Sequence, residues 1–284
     1  MTVGEAIRFS TEQLAAHGIP DPKVEAEWLL SHLLASPRTM LFMKSGLPLD
    51  PPLERALNSF LERRFRREPL QHILGSVNFC GLELSVSEDA LIPRPETEIL
   101  AEHAWYRANN LDSDTPKILD FGTGTGCLAI AIKKHAPHSE VHALDRSPKA
   151  LALARENALE HELGSIRFHE GDAFNALPEP IEFNLIVSNP PYIPSADIRH
   201  LQPEVRDYDP RIALDGDEDG LTFYRLFANE AANWLKPGGT LLCEFGDGQE
   251  GEIPLLFADD IWTDRHIYPD LSDIPRFFKV DKAV

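Results

Sequence analysis

A strand followed by a glycine-rich turn and a helix constrains the fold of this chain more than any other segment. The apolar run at residues 118–121 stops at Gly122, and glycines alternate with threonines over residues 122–126 before a helical pattern begins at Cys127. Glycine lets a backbone approach a ligand closely, and the amides at a helix start point towards that ligand. The segment therefore favours a ligand-binding turn, although its GxGxG spacing differs from the GxGxxG fingerprint of dinucleotide-binding folds.

The alternation of strand and helix patterns continues beyond this turn. Strands are predicted at residues 141–144, 166–169, 183–187 and 240–245, with closing strands at 261–268 and 277–280. Helices are predicted at residues 127–134, 148–159 and 220–235. Strands that alternate with helices predict a doubly wound, Rossmann-like α/β domain with a mostly parallel sheet.

The first part of the chain has helical spacing only. Asp21 and Asp50 each precede a proline, which predicts two helices with an aspartate N-cap and proline in the first position. Apolar pairs at 73–74, 77–79 and 82–86 around Cys80 and Gly81 predict a β-hairpin. We thus predict a small helical domain for partner recognition at residues 1–68, a hairpin connector at 69–92 and an α/β domain at 93–284.

The charge balance limits the class of partner. The chain has 27 Lys and Arg against 46 Asp and Glu, a net formal charge of −19. Such a charge repels a phosphate backbone and argues against broad nucleic-acid binding. One dense basic cluster, at Arg63, Arg64, Arg66 and Arg67, is predicted to be the solvated end of a helix.

Cysteine usage and hydropathy indicate a cytoplasmic protein that binds no metal. The three cysteines are far apart and form no CxxC pair, and no His/Cys cluster with metal-ligand spacing occurs. The first ten residues lack the apolar core of a signal peptide, and no stretch is long enough to cross a membrane.

Two acidic strand ends accompany the glycine turn. Asp145 follows the last glycine by about 20 residues, where a carboxylate that accepts hydrogen bonds from ribose hydroxyls is expected. The alternative is a helix cap for the segment that starts at Ser147. Asp172 and Ala173 follow the next strand and are predicted to contact an adenine ring, with Phe174 either stacking on it or packing in the core.

The sequence Asn189-Pro190-Pro191-Tyr192 follows the fourth strand of this domain. Alone it is as compatible with a tight turn as with chemistry. The Asn189 side-chain carbonyl and the Pro190 backbone carbonyl offer two acceptors for an NH2 group, and Pro190 has no competing N–H. Tyr192 is predicted to stack on a planar substrate. With the glycine turn and Asp145, this tetrapeptide resembles class I S-adenosylmethionine-dependent methyltransferases that methylate planar nitrogens.

Further motifs narrow the resemblance. Residues 71–75 read Gln-His-Ile-Leu-Gly, residues 79–82 read Phe-Cys-Gly-Leu, and residues 91–98 read Leu-Ile-Pro-Arg-Pro-Glu-Thr-Glu. Together with residues 118–127, 183–193, 220–221, 242–246 and Gln249, they resemble the HemK/PrmC family of protein-glutamine N5-methyltransferases, which act on peptide chain release factors in translation termination. The chain departs from the family pattern at Asp209-Pro210, at Ala173 and at residues 270–276.

The resemblance implies a substrate, a cofactor and a set of site residues. The substrate is the glutamine amide of a Gly-Gly-Gln motif, and the cofactor is S-adenosylmethionine, with S-adenosylhomocysteine as product. The implied catalytic residues are Asn189 and Pro190, and the implied substrate-binding residues are Asn189, Pro190, Pro191 and Tyr192. The implied cofactor-binding residues are Gly122, Thr123, Gly124, Thr125, Gly126, Asp145, Asp172, Ala173 and Asn189.

Other functions remain open at this point. An adenine-N6 DNA or guanine-N2 ribosomal RNA methyltransferase uses a similar tetrapeptide, but it needs a flipped base and a path for phosphates. A nicotinamide-dependent dehydrogenase fits poorly with the GxGxG spacing. The hypothesis of a non-catalytic binding protein with the same fold is weakened, because both hydrogen-bond acceptors, at Asn189 and Pro190, are present.

Overall fold

A computed structural model describes residues 1–178 and 181–284 of the chain. It divides into two compact units, one formed by Met1–Ser76 with Gln202–Tyr208 and the other by Val77–Leu201 with Asp209–Val284. The boundaries at residues 68 and 92 therefore stay predictions. No helix within the described ranges is both long and apolar enough to span a membrane.

The first unit is helical, as predicted. Its helices are α1 (Val3–Ala16), α2 (Pro22–Leu33), α3 (Pro51–Phe65) and α4 (Leu70–Leu74). Leu14, Leu29 and Leu57 are fully buried in its core. Prolines do open α2 and α3, but the carboxylates of Asp21 and Asp50 accept no capping hydrogen bond. Residues 73 and 74 lie in α4, so their assignment to the hairpin was wrong.

The basic cluster of this unit contains a buried charge. Arg64 is only 3% exposed, and it donates to Glu25 Oε2 at 2.6 Å and to Glu204 Oε1 at 2.8 Å. Arg67 donates to the other oxygen of Glu204 at 2.8 Å. The prediction of a solvated helix end was therefore wrong for Arg64. A buried guanidinium needs paired carboxylates, and these come from residues far away in sequence.

The second unit begins with the predicted hairpin, formed by β1 (Ser76–Phe79) and β2 (Leu82–Ser85). Cys80 and Gly81 form its two-residue turn with φ of 50° and 76°. Positive φ at both positions is the geometry that suits a right-handed strand twist.

The rest of the described residues of the second unit form a seven-stranded sheet and the helices that accompany it. Its strands are β3 (Lys117–Phe121), β4 (Glu140–Asp145), β5 (Arg167–Glu170), β6 (Phe183–Ser188), β7 (Leu235–Glu244), β8 (Trp262–Pro269) and β9 (Pro275–Lys282). The helices that follow α4 are α5 (Pro95–Asn109), α6 (Cys127–His135), α7 (Pro148–Glu160), α8 (Pro203–Arg206), α9 (Thr222–Glu230) and α10 (Ile253–Leu256), and α8 belongs to the first unit.

The strand order is β5-β4-β3-β6-β7-β9-β8. Strand β9 pairs antiparallel with both β7 and β8, and the other pairs are parallel. The mostly parallel sheet predicted from the sequence is thus confirmed. Apolar side chains cover both faces, with Leu100 and Ile130 on one and Tyr224 and Phe227 on the other. Strands β4 and β5 follow on one side of β3, whereas β6 and β7 lie on its other side. The order therefore reverses between β3 and β6, and ligands bind at the carboxyl ends of such a strand pair.

Candidate active site

A cleft opens at this switch point. In the register of β3 and β6, Phe121 lies beside Ser188, so the glycine turn and Asn189 leave the sheet next to each other. The cleft contains about 1010 Å³ of non-protein space, part of it open to solvent. Most of the predicted site residues line it: Gly122, Thr123, Gly124, Thr125, Asp145, Asp172, Ala173, Asn189, Pro190 and Pro191. Gly126 and Tyr192 do not.

The three glycines of the turn have different roles. All have positive φ, at 74°, 55° and 84° for Gly122, Gly124 and Gly126. A Cβ built on Gly122 or Gly124 meets no heavy atom within 4 Å, so open space lies against this backbone. A Cβ on Gly126 would lie 3.1 Å from the Ala154 Cβ, which shows that Gly126 allows α6 to pack against α7. The first two glycines thus leave room for a ligand and the third serves packing.

Asp120 supports the turn from below, and sequence reasoning missed it. Its Oδ2 accepts hydrogen bonds from Thr123 Oγ1 at 2.6 Å and from the Ala129 amide at 3.0 Å. Its Oδ1 is buried and has no hydrogen-bond partner among the described residues. Burial raises the pKa of this carboxyl to about 7. The signal in the sequence is an aspartate inside an apolar strand, where an unpaired charge is costly.

Asp145 connects the glycine turn to the start of α7. Its Oδ2 accepts from the Gly124 amide at 2.9 Å, and its Oδ1 accepts from the Ser147 amide at 2.8 Å. Ser147 itself caps α7, because its Oγ accepts from the Ala150 amide at 3.2 Å. Burial raises the pKa of Asp145 despite these amide hydrogen bonds. Each carboxylate oxygen has a second lone pair, so both remain able to accept from a ligand.

The loop after β5 also reaches the cleft. Ala173 has φ 55° and ψ −163°, a region that is essentially restricted to glycine and is therefore strained for alanine. Phe174 is fully buried, with its ring centroid 5.0 Å from that of Phe121. Of the two roles open for Phe174, the structure supports core packing. Asp172 and Ala173 line the cleft, whereas Phe174 does not.

Asn189 is held by a chain of hydrogen bonds. Its Nδ2 donates to Thr97 Oγ1 at 3.1 Å, and Thr97 Oγ1 donates to Glu244 Oε2 at 2.7 Å. Thr97 and Glu244 are almost completely buried. None of the described residues donates to Asn189 Oδ1. The Asn189 carbonyl oxygen is thus available to a group in the cleft, while the amino group is already occupied.

Tyr192 lies on the far side of the same loop. A Cβ on Gly246 would meet its ring at 2.9 Å, so the ring packs directly on that glycine. Its hydroxyl donates to Glu244 Oε1 at 3.4 Å, and its backbone carbonyl accepts from Gln249 Nε2 at 3.1 Å. These contacts hold the loop that carries Asn189 in place. Stacking of Tyr192 on the substrate stays a prediction.

A further loop borders the cleft, and sequence reasoning found no role for it. Arg94 lines the cleft and donates to Asp209 Oδ2, whose side chain is fully buried. Pro210, Ile212 and Ala213 follow and also line the cleft. The Asp209 that departs from the family pattern therefore keeps a structural function, since it anchors this loop to Arg94.

Known family models and relatives match this chain. A family model described as "PrmC N-terminal domain" matches residues 5–75, and one described as "Methyltransferase small domain" matches residues 97–201. The release factor glutamine methyltransferase of Geobacter sulfurreducens is 42% identical over 275 residues, which is 97% of this chain and 95% of the relative. That of Deinococcus radiodurans is 40% identical over 283 residues, which is 100% of this chain and 99% of the relative.

A solved structure supports the fold alone. A methyltransferase from Pyrococcus furiosus superimposes with a TM-score of 0.51 at 16% identity. The match covers 72% of this chain and 90% of the other. It agrees with the class I methyltransferase architecture expected from the sequence.

Proposed function

Because this chain belongs to the family of release factor glutamine methyltransferases, we propose that it methylates N5 of the glutamine in the Gly-Gly-Gln motif of a peptide chain release factor. The chemistry that S-adenosylmethionine supplies when bound is an electrophilic methyl group, and S-adenosylhomocysteine is the product. The reaction takes place in the cytoplasm, where release factors act. The N-terminal helical domain, predicted at residues 1–68, recognises the release factor.

The cleft has features that fit this cofactor. Open space lies against the backbone of Gly122 and Gly124, so a ligand can approach this stretch of backbone closely. The proposed cofactor-binding residues are Gly122, Thr123, Gly124, Thr125, Gly126, Asp145, Asp172, Ala173 and Asn189. Within this set Gly126 acts by allowing α6 to pack, and Asp145 accepts from the ribose hydroxyls.

The acceptor nitrogen presents the chemical difficulty. The lone pair of an amide nitrogen is delocalised and hardly nucleophilic, so the NH2 group must be held with that lone pair directed at the methyl group. Asn189 Oδ1 and the Pro190 carbonyl each accept one N–H of the substrate. The same two oxygens stabilise the positive charge that develops on nitrogen. No strong base is needed, because the methylated nitrogen loses its proton to water.

One observation carries this proposal: Asn189 lines the cleft with its Nδ2 engaged by Thr97 and its Oδ1 free of any donor among the described residues. An acceptor presented in this way suits an NH2 group. The net charge of −19 argues against a nucleobase as the source of that group.

The direct test is methyl transfer from radiolabelled S-adenosylmethionine. The purified chain is incubated with a release factor, with its Gly-Gly-Gln Gln→Ala variant, with DNA and with RNA. We expect label on the unaltered release factor only. Label on both release factors, or on a nucleic acid, would contradict the proposed substrate atom.

A second test concerns Asp145. We expect Asp145→Ala to weaken S-adenosylhomocysteine binding by roughly 10- to 100-fold in calorimetry, because hydrogen bonds from the ribose hydroxyls to a charged group are lost. Ser147→Ala is the matched control, since it removes the α7 cap and leaves the carboxylate. Equal losses in the two variants would show that Asp145 acts as part of the helix start and not through ribose.

A further inference from the structure

The hydrogen bonds that end at Asn189 have a fixed direction. An ionised carboxylate can only accept, so the single hydroxyl hydrogen of Thr97 is directed to Glu244 at 2.7 Å. The Thr97 oxygen can then only accept from Asn189, which must turn its Nδ2 towards it at 3.1 Å. The assignment of oxygen and nitrogen in the Asn189 amide therefore follows from the charge of Glu244, two residues away along the network.

We propose that Glu244 and Thr97 are positioning residues, which orient the Asn189 amide so that its carbonyl oxygen faces the substrate NH2 group. This inference rests on the proposed function. The three residues come from α5, the end of β7 and the loop after β6, so the sheet and the helix together fix the orientation. In the reverse direction, a protonated Glu244 donates to Thr97 and Thr97 donates to Asn189 Oδ1. The Asn189 NH2 group then faces the substrate NH2 group, and neither can accept.

The surroundings of Glu244 add a pH dependence to this orientation. The pKa of Glu244 is raised to about 7, mainly by burial. The hydroxyls of Thr97 and Tyr192 and the charge of Arg276 lower this pKa, and the nearby Glu96 raises it. The acceptor orientation is thus present above this pKa and is lost as the pH falls through it. With saturating cofactor, we expect kcat to decrease on the acid side of pH ~7.

The test compares variants of buried hydroxyl groups around Glu244. Thr97→Val removes the relay, whereas Thr97→Ser keeps the hydroxyl. Tyr224→Phe is the matched control, because the buried Tyr224 hydroxyl donates to the Glu244 backbone carbonyl at 2.8 Å and has no part in the relay. We expect Thr97→Val to lower kcat by roughly 10- to 100-fold, with little change in S-adenosylhomocysteine affinity. Thr97→Ser and Tyr224→Phe should retain most of the activity.

The pH profile separates orientation from stability. Thr97→Val and Glu244→Gln should both lose the acid limb of kcat that the unaltered enzyme shows. A limb that persists unchanged in both variants would assign the titration to another group, such as Asp120, whose pKa is also about 7, and would overturn the relay.

The remaining outcomes are distinct. A Tyr224→Phe variant that loses as much kcat as Thr97→Val, or a Thr97→Val variant with full activity, would overturn the inference and leave the proposed function intact. Absence of transfer by the unaltered enzyme would overturn the proposed function and this inference with it. On an Asn189→Ala background, Thr97→Val should cause no further loss, because the group that it positions is already gone.

Discussion

Asn189→Ala is expected to reduce methyl transfer by at least roughly 10²- to 10³-fold, while the affinity for S-adenosylhomocysteine falls much less, since Asn189 is one of several proposed cofactor-binding residues. The substitution removes the Oδ1 that we propose to accept one N–H of the substrate amide and to stabilise the charge that develops on it. Single-turnover rates with saturating cofactor measure the chemical step, and calorimetry measures cofactor affinity independently. The loss should therefore be much larger in the rate than in the binding constant.

Asn184→Ala is a control of the same residue type, placed within β6. Asn184 lies at the opposite end of β6, where its Oδ1 accepts from the Lys117 amide and from Lys236 Nζ, both at 3.0 Å. We expect this variant to lose some stability and to keep its rate. If Asn189→Ala turned over at a near-normal rate, the proposed role of the Asn189 amide would be refuted.

Gly220→Ala is expected to lower the free energy of unfolding by roughly 2–5 kcal/mol and to reduce the rate strongly. A Cβ at this position would lie 2.2 Å from the Tyr192 backbone oxygen and 2.7 Å from Gln249 Nε2, and φ is +75°. Something must move, and both contacts fix the loop that carries Asn189. A displacement of about 1 Å of a substrate-holding group can cost 10²-fold in rate.

Gly248→Ala isolates the contribution of backbone strain. Gly248 has φ +82°, but a Cβ there meets no heavy atom within 4 Å. Chemical denaturation should show only the cost of a left-handed alanine, about 1–2 kcal/mol, with a nearly unchanged rate in the folded protein. Equal effects of the two substitutions would mean that the contact with Tyr192 is unimportant.

The site residues that could be predicted from the sequence are those recognised by local signals. The glycine turn, Asp145 and Asn189 each stand directly after an apolar strand, and parallel strands bring their carboxyl ends to one edge. The structure places all of them in one cleft. Gly126 allows α6 to pack against α7, which the glycine spacing alone does not show, and its part in cofactor binding stays a prediction.

The residues that were missed act through partners distant in sequence. Thr97 and Glu244 are 147 positions apart and are joined only after α5 and β7 have packed. The ion pair of Arg64 with Glu204 spans 140 positions, so a cluster of arginines that looked solvated in the sequence contains a buried charge. The ring of Tyr192 packs on Gly246, a contact that the sequence does not show, and its predicted stacking on the substrate stays a prediction.

The first unit consists of two segments that are far apart in the sequence, and this affects when it can fold during synthesis. Chains emerge from the ribosome amino end first, and domains that are continuous in sequence can fold in that order. This unit needs Gln202–Tyr208, which include the Glu204 that pairs with Arg64, so strands β1 to β6 are all translated before its last segment appears. Helices α1 to α4 are therefore made before Glu204, and until then Arg64 lacks one of its two carboxylate partners. The unit that contains α1 to α4 is complete only after β1 to β6 have been made.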